Sequence, residues 1–201
     1  MRQLFLDRLQ EHLATLQALE SHAPAFEAIA RKMTEAILNG RKICFMGNGG
    51  SAADAQHLAA ELVGRFQRER RGLPSLAFTT DTSVLTAVAN DYGYDQLFAR
   101  QVESLCQPGD IVVGLSTSGN SPNVLLGIAR AKELGLCTVG LAGKDGGKLA
   151  QVADFCLTVP SPKAARTQEA HIFIGHCLCE VIEDAVVNAG SPARFPGSTQ
   201  P

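Results

Sequence analysis

The sequence predicts an α/β fold in which a five-stranded parallel sheet is covered on both faces by helices, with two further helices ahead of it. Three observations carry this expectation. From residue 42 onward, short apolar runs alternate with helical segments, the pattern made by parallel strands and their right-handed crossover helices. Two of those runs end in turns of glycine, asparagine and serine that lead directly into a helix. Glycine or proline marks most joints, as at Gly72-Leu73-Pro74, Gln107-Pro108-Gly109-Asp110, Gly135 and Pro160-Ser161-Pro162.

Taken in order, residues 3–20 carry Leu6, Leu9, Leu13, Leu16 and Leu19 at steps of three and four, one face of an amphipathic helix. A second helix over Ala23–Asn39 stops at Gly40 and carries Ala25, Ile29, Met33 and Ile37. Strands are expected near 42–46, 75–79, 111–115, 137–142 and 155–159. Helices are expected near 51–66, 83–90, 95–105, 121–134 and 147–152, and a long one near 165–189 closes the fold. A sheet already covered on both faces leaves the two N-terminal stripes in need of another surface. Residues 1–40 are therefore read as oligomerisation helices packed on the core, 41–189 as the α/β domain and 190–201 as an irregular tail.

Composition narrows the function classes. A chain of 201 residues, 45% hydrophobic and 19% charged, builds one substantial core. A net charge of −2 and a pI of 6.2 give no electrostatic footprint for nucleic acid. Neither a secretory pattern after Met1-Arg2-Gln3 nor an 18-residue apolar span is found, so a cytoplasmic protein without a membrane partner is expected. The six cysteines, Cys44, Cys106, Cys137, Cys156, Cys177 and Cys179, fit a reducing compartment as small hydrophobes; for Cys177 and Cys179, one residue apart, buried packing is favoured over metal binding.

The chemistry begins at the two turns. Gly47-Asn48-Gly49-Gly50-Ser51 follows Ile43–Met46, and Ser116-Thr117-Ser118-Gly119-Asn120-Ser121 follows Ile111–Leu115. Each aims backbone N–H groups and a helix N-terminus at whatever lies above the strand ends, which favours an anion. Neither has the lysine of a nucleoside-triphosphate loop. In open sheets of this kind the ligand lies beyond the carboxyl ends of the strands, where strand order switches. His57 and Glu61, four apart after the first turn, share a helix face from which both reach one metal, or from which the carboxylate takes a proton. The competing reading is a solvated pair without a task. His171 and His176 interrupt an apolar stretch of the last helix, where a core histidine bonded to a backbone carbonyl is the plain alternative. At 100° per residue, His176 lies about 20° from Glu169 and about 80° from Gln168, so rotation alone favours Glu169 as its partner.

These segments, together with Glu61-Leu62-Val63-Gly64-Arg65-Phe66, Ala89-Asn90-Asp91-Tyr92-Gly93-Tyr94, Gly143-Lys144-Asp145-Gly146-Gly147 and Gln168-Glu169-Ala170-His171, resemble the phosphoheptose isomerase branch of the sugar isomerase (SIS) family. The resemblance implies a doubly wound α/β/α sandwich, a homotetramer, and isomerisation of D-sedoheptulose 7-phosphate to D-glycero-D-manno-heptose 7-phosphate for lipopolysaccharide or capsule. It implies phosphate binding by Ser116, Thr117, Ser118 and Ser121, and a sugar site lined by Asn48, Gly49, Gly50, Ser51, Glu61, Asn90, Asp91 and Gln168. Glu61 and His176 are implied as the catalytic pair, and His57, Glu61, Gln168 and His176 as zinc ligands; here the motif overrides rotation in favour of Gln168. One departure is Ala165, where some relatives have an aspartate three residues before the glutamine. The other reading is a non-catalytic SIS regulator that binds a replication initiator or other protein. Such regulators lack the acid and second histidine found here as Glu61 and His176.

Overall fold

The computed structural model describes residues 1–190; the rest of the expected tail, residues 191–201, lies outside the described residues. The elements run α1 (Arg2–Gln17), a 3-10 turn (Ala18–His22), α2 (Ala23–Leu38), β1 (Ile43–Gly47), α3 (Gly50–Val63), β2 (Ser75–Ala77) and α4 (Thr82–Tyr92). There follow a 3-10 turn (Tyr94–Gln96), α5 (Leu97–Leu105), β3 (Ile111–Ser116), α6 (Pro122–Glu133), β4 (Cys137–Gly143), α7 (Leu149–Val152), β5 (Phe155–Val159) and α8 (Ala164–Asn188).

All strand pairs are parallel, in the order β2-β1-β3-β4-β5. The strands are apolar on both faces, and alternate residues feed two separate cores. Ile43 and Phe45 of β1, with Ile111, Val113 and Leu115 of β3, pack with residues of α2, α3 and α8. Cys44, Met46 and Val112 face the other way, among residues of α4, α5, α6 and α7. The expected sandwich of a five-stranded sheet between two helical layers is therefore present.

Sheet order brings the two turns together. Gly47 pairs with Leu115 across β1 and β3, so both loops leave neighbouring strands at the same edge. The chain goes from β1 to β2 on one side and returns to β3 on the other, the switch point at which such sheets bind ligands. On one face, α8 crosses close to α3 because Gly175 has no side chain. A Cβ there would fall 2.5 Å from the Leu58 side chain.

Two expectations about extent and one about burial are adjusted. Strand β2 ends at Ala77 rather than near 79. Helix α3 ends at Val63 rather than near 66, because Arg70 folds back and donates to the carbonyls of Glu61, Leu62 and Gly64. The α2 stripe is consumed within the chain: Ile29, Met33 and Ile37 are fully buried. Helix α1 buries no residue, and Leu6, Leu9 and Leu13 remain 38, 39 and 50% exposed. All six cysteines are free thiols, with Cys44 and Cys179 buried. Among the described residues no helix is long and apolar enough to cross a membrane.

Candidate active site

The second loop has the look of an anion cradle. Ser116 ends β3, and its Oγ lies 3.0 Å from Ser121 Oγ and 3.4 Å from Ser118 Oγ. Ser121 occupies the N-cap of α6 without bonding the helix through its side chain, and Pro122 follows at the start. The positive end of α6, with no side-chain cap, therefore stays available to an anion beside the serine hydroxyls. The loop is held from behind. Gly119, at φ 66°, touches the Gly146 carbonyl so closely that no side chain fits. The Leu149 amide donates to the Gly119 carbonyl at 2.9 Å and the Lys148 amide to Asn120 Oδ1 at 3.1 Å. The Thr117 carbonyl packs so closely against Gly143 that no Cβ fits there, so the 143–149 turn supports the cradle.

The first loop is tied to the second. Asn48 and Asn123 exchange two amide bonds of 2.8 Å, and the Tyr94 hydroxyl donates to Asn48 Oδ1 at 3.0 Å. Asn123 carries no signal in the sequence, and Tyr94 enters there only as the end of the 89–94 segment, without a role. Gly49 takes φ 57° at the N-cap of α3, and Ser51 is buried with its amide on the Asn48 carbonyl. Asn90 and Asp91 lie exposed at the end of α4, where Asn90 Nδ2 donates to Asp91 Oδ1; none of their recorded bonds reaches either loop.

One turn into α3 the polar groups meet those of α8. His57 Nε2 lies 2.9 Å from His176 Nε2 and 3.2 Å from Glu61 Oε1. The Phe66 ring stacks on the other side of His176, with centroids 5.3 Å apart and planes 26° from parallel. The Gln168 amide lies against Gly50, a place that exists only because Gly50 has no Cβ; one there would fall 2.7 Å from Gln168 Cδ. Glu169, the partner favoured by rotation, faces α1 instead. His12 Nδ1 lies 2.7 Å from its Oε2, and Arg166 pairs with its Oε1. His171 turns inward and follows the plain reading: Nε2–H donates to the Ala142 carbonyl at 3.1 Å, and burial pushes the imidazole down to about 4.

The donor atoms of His57, Glu61 and His176 all lie within 4.8 Å of one another, so these three side chains can hold a metal ion. Donors around a tetrahedral zinc at ~2.0–2.1 Å sit about 3.3 Å apart, close to the separations seen here. Two imidazoles and a carboxylate are a donor set found in catalytic zinc sites.

Comparison with known proteins identifies the family. The SIS domain family matches residues 5–143. The phosphoheptose isomerase of Aquifex aeolicus is 52% identical over 171 residues, covering 85% of this chain and 90% of the relative. That of Geobacter metallireducens is 52% identical over 184 residues, covering 91% and 97%. The solved phosphoheptose isomerase of Neisseria gonorrhoeae superimposes with a TM-score of 0.86 at 41% identity, covering 91% of this chain and 98% of that one. With the cradle, the His–Glu–His cluster and the sheet order all in place, the chain belongs to the phosphoheptose isomerase family of SIS-domain proteins.

Proposed function

We propose that the protein isomerises D-sedoheptulose 7-phosphate to D-glycero-D-manno-heptose 7-phosphate, in the cytoplasm and as a homotetramer, to supply heptose for a bacterial envelope polysaccharide. The observation that carries the reading is the meeting of Glu61 and His57 on α3 with His176 on α8, beside a serine cradle suited to phosphate. Relatives at about half identity carry the name of this activity.

Ser116, Thr117, Ser118, Ser121 and the α6 N-terminus bind the phosphate, far from the reacting carbons, and so fix the position of C1 and C2. Asn48, Gly49, Gly50, Ser51, Asn90, Asp91 and Gln168 shape the sugar site, Asn48 through its bonds to Asn123 and Tyr94. Glu61 Oε1 faces His57, which leaves Oε2 to receive the proton from C1 of the ketose. His176 gives a proton to the C2 oxygen as the cis-enediol forms. Return of the carbon-bound proton to C2, with loss of the O1 proton, gives the aldose. His57, Glu61, Gln168 and His176 would hold zinc, whose charge would stabilise negative charge developing on the two oxygens; an imidazole nitrogen or carboxylate oxygen that holds the ion is not the atom that carries a proton.

The tetramer reading is supported by the exposed leucines of α1 and by an apolar cavity of 320 Å³ beside it, lined by Leu16, Leu19, Phe26, Phe173 and Ile174. Turnover of sedoheptulose 7-phosphate by the purified protein, with and without a zinc chelator, tests the function. Product that falls on chelation and returns with added zinc supports it; a protein inert in both states rejects it.

A further inference from the structure

We infer that Glu183, Arg70 and Phe66 form a clamp that positions His176 and Glu61, with the Phe66 ring setting the tilt of the His176 imidazole. This rests on the roles proposed above for Glu61 and His176. Glu183 lies on α8, seven residues after His176, and is 1% exposed. Its Oε1 accepts from the Phe66 amide at 2.9 Å, and its Oε2 accepts from the amides of Gln67 and Arg68, both at 2.7 Å. Burial opposes the charge, but the amides of Gln67, Phe66 and Arg68, together with Arg70, outweigh it and hold the carboxyl below the ordinary range.

Arg70, equally buried, brings Nε to 3.0 Å from Glu183 Oε1. Its other N–H groups donate to the carbonyls of Glu61 at 2.8 Å, Leu62 and Gly64 at 2.9 Å, and Arg71 at 3.0 Å. The α3 carbonyls among these are the ones that a helix end leaves without partners. The pair therefore grips both halves of the proton-transfer machinery. It fixes the backbone of Glu61 directly, and it fixes the residue whose ring lies on His176. A buried ion pair is weak evidence for net stability, since apolar residues often serve as well. Directional bonds to three successive amides and to the end of a helix instead define one geometry for the turn that carries Phe66.

A positioning role and a merely structural one separate experimentally. Phe66→Leu removes the ring but leaves the clamp bonds, which this residue makes through its main chain. The expected result is a retained melting temperature, KM within about twofold, kcat lower by about 10–100-fold, and a displaced His176 Cε1–H resonance in NMR spectra. Phe66→Tyr, which keeps a flat ring, should hold kcat within about twofold. Glu183→Gln should move the same His176 resonance. An unfolded or fully active Phe66→Leu, a loss confined to KM, a Phe66→Tyr as impaired as Phe66→Leu, or a His176 resonance unmoved by Glu183→Gln each overturns the clamp. The resonance does not depend on turnover. A wild-type protein inert on sedoheptulose 7-phosphate therefore removes the functional reading, whereas an unmoved resonance removes the clamp.

Discussion

Replacing Gly50 by alanine should separate catalysis from stability. The new Cβ would lie 2.7 Å from Gln168 Cδ and 2.8 Å from its Oε1, whereas ordinary contact is 3.4–4 Å. Gln168 Nε2 lies nearer still, so the amide must retreat by more than about 1 Å to regain ordinary contact. It is the far end of a flexible side chain, so the shift costs little folding energy. Gly50 opens α3 without a positive φ, and alanine is better than glycine in a helix by up to about 1 kcal/mol. A displacement of about 1 Å of a group that positions substrate can cost about 100-fold in rate. The expected outcome is an unchanged or slightly raised melting temperature, with kcat on sedoheptulose 7-phosphate lowered by about 10–100-fold. Turnover within twofold of wild type would show that Gln168 does not act at the reacting carbons. A collapse in melting temperature would show that the amide cannot yield and that Gly50 serves packing.

Glu61→Gln and His176→Ala should each lower turnover by about 10²–10⁴-fold in a folded protein; near-normal turnover in either removes that residue from proton transfer. Ser118→Ala and Ser121→Ala should raise KM more than they lower kcat, because the phosphate is charged before and during reaction; the reverse pattern would place the cradle at the reacting carbons. His171, driven down to about 4 by burial against about 6.5 unfolded, contributes stability that is complete above pH 6.5 and lost as pH falls towards 4. That loss amounts to about 3 kcal/mol and should be absent from urea midpoints of His171→Gln; the same acid loss in the variant would assign it to other groups. Asp at both Leu9 and Leu13 should dissociate the assembly in sedimentation, which a wild-type monomer of 21.3 kDa would contradict.

Local pattern made much of this legible. Strands buried on both faces, turns rich in glycine and serine, and a histidine and glutamate four apart are all readable within a few residues. What escaped depends on tertiary neighbours. Asn123 sits early in a helix without any local signal, and its pairing with Asn48 exists only because β1 and β3 are adjacent. Rotation favoured Glu169 because it treats α8 as isolated, whereas α1 lies across that face and engages Glu169 through His12. Gln168 instead fills the space left by a glycine 118 residues earlier in the chain. Phe66 lies beyond the end of α3, where helical periodicity says nothing about direction. The two N-terminal stripes looked alike, but only α2 lies where the core can absorb its stripe.

The placement of His176 on the last helix also orders events during synthesis. His57 and His176 are 119 positions apart, so at ~5–20 residues per second the second histidine follows the first by roughly 6–24 s. Before that interval ends β1, β3 and the serine loop have all been made, while Leu58 and Leu62 of α3 still await the helix that covers them. On the roles proposed for these residues, a ribosome-bound chain would acquire the means to hold a phosphate before it has both partners for moving a proton. Docking of α8 buries the waiting leucines and, on the roles proposed for His176 and Gln168, completes the site in the same step, so a chain truncated before Gln168 should be both inactive and sticky.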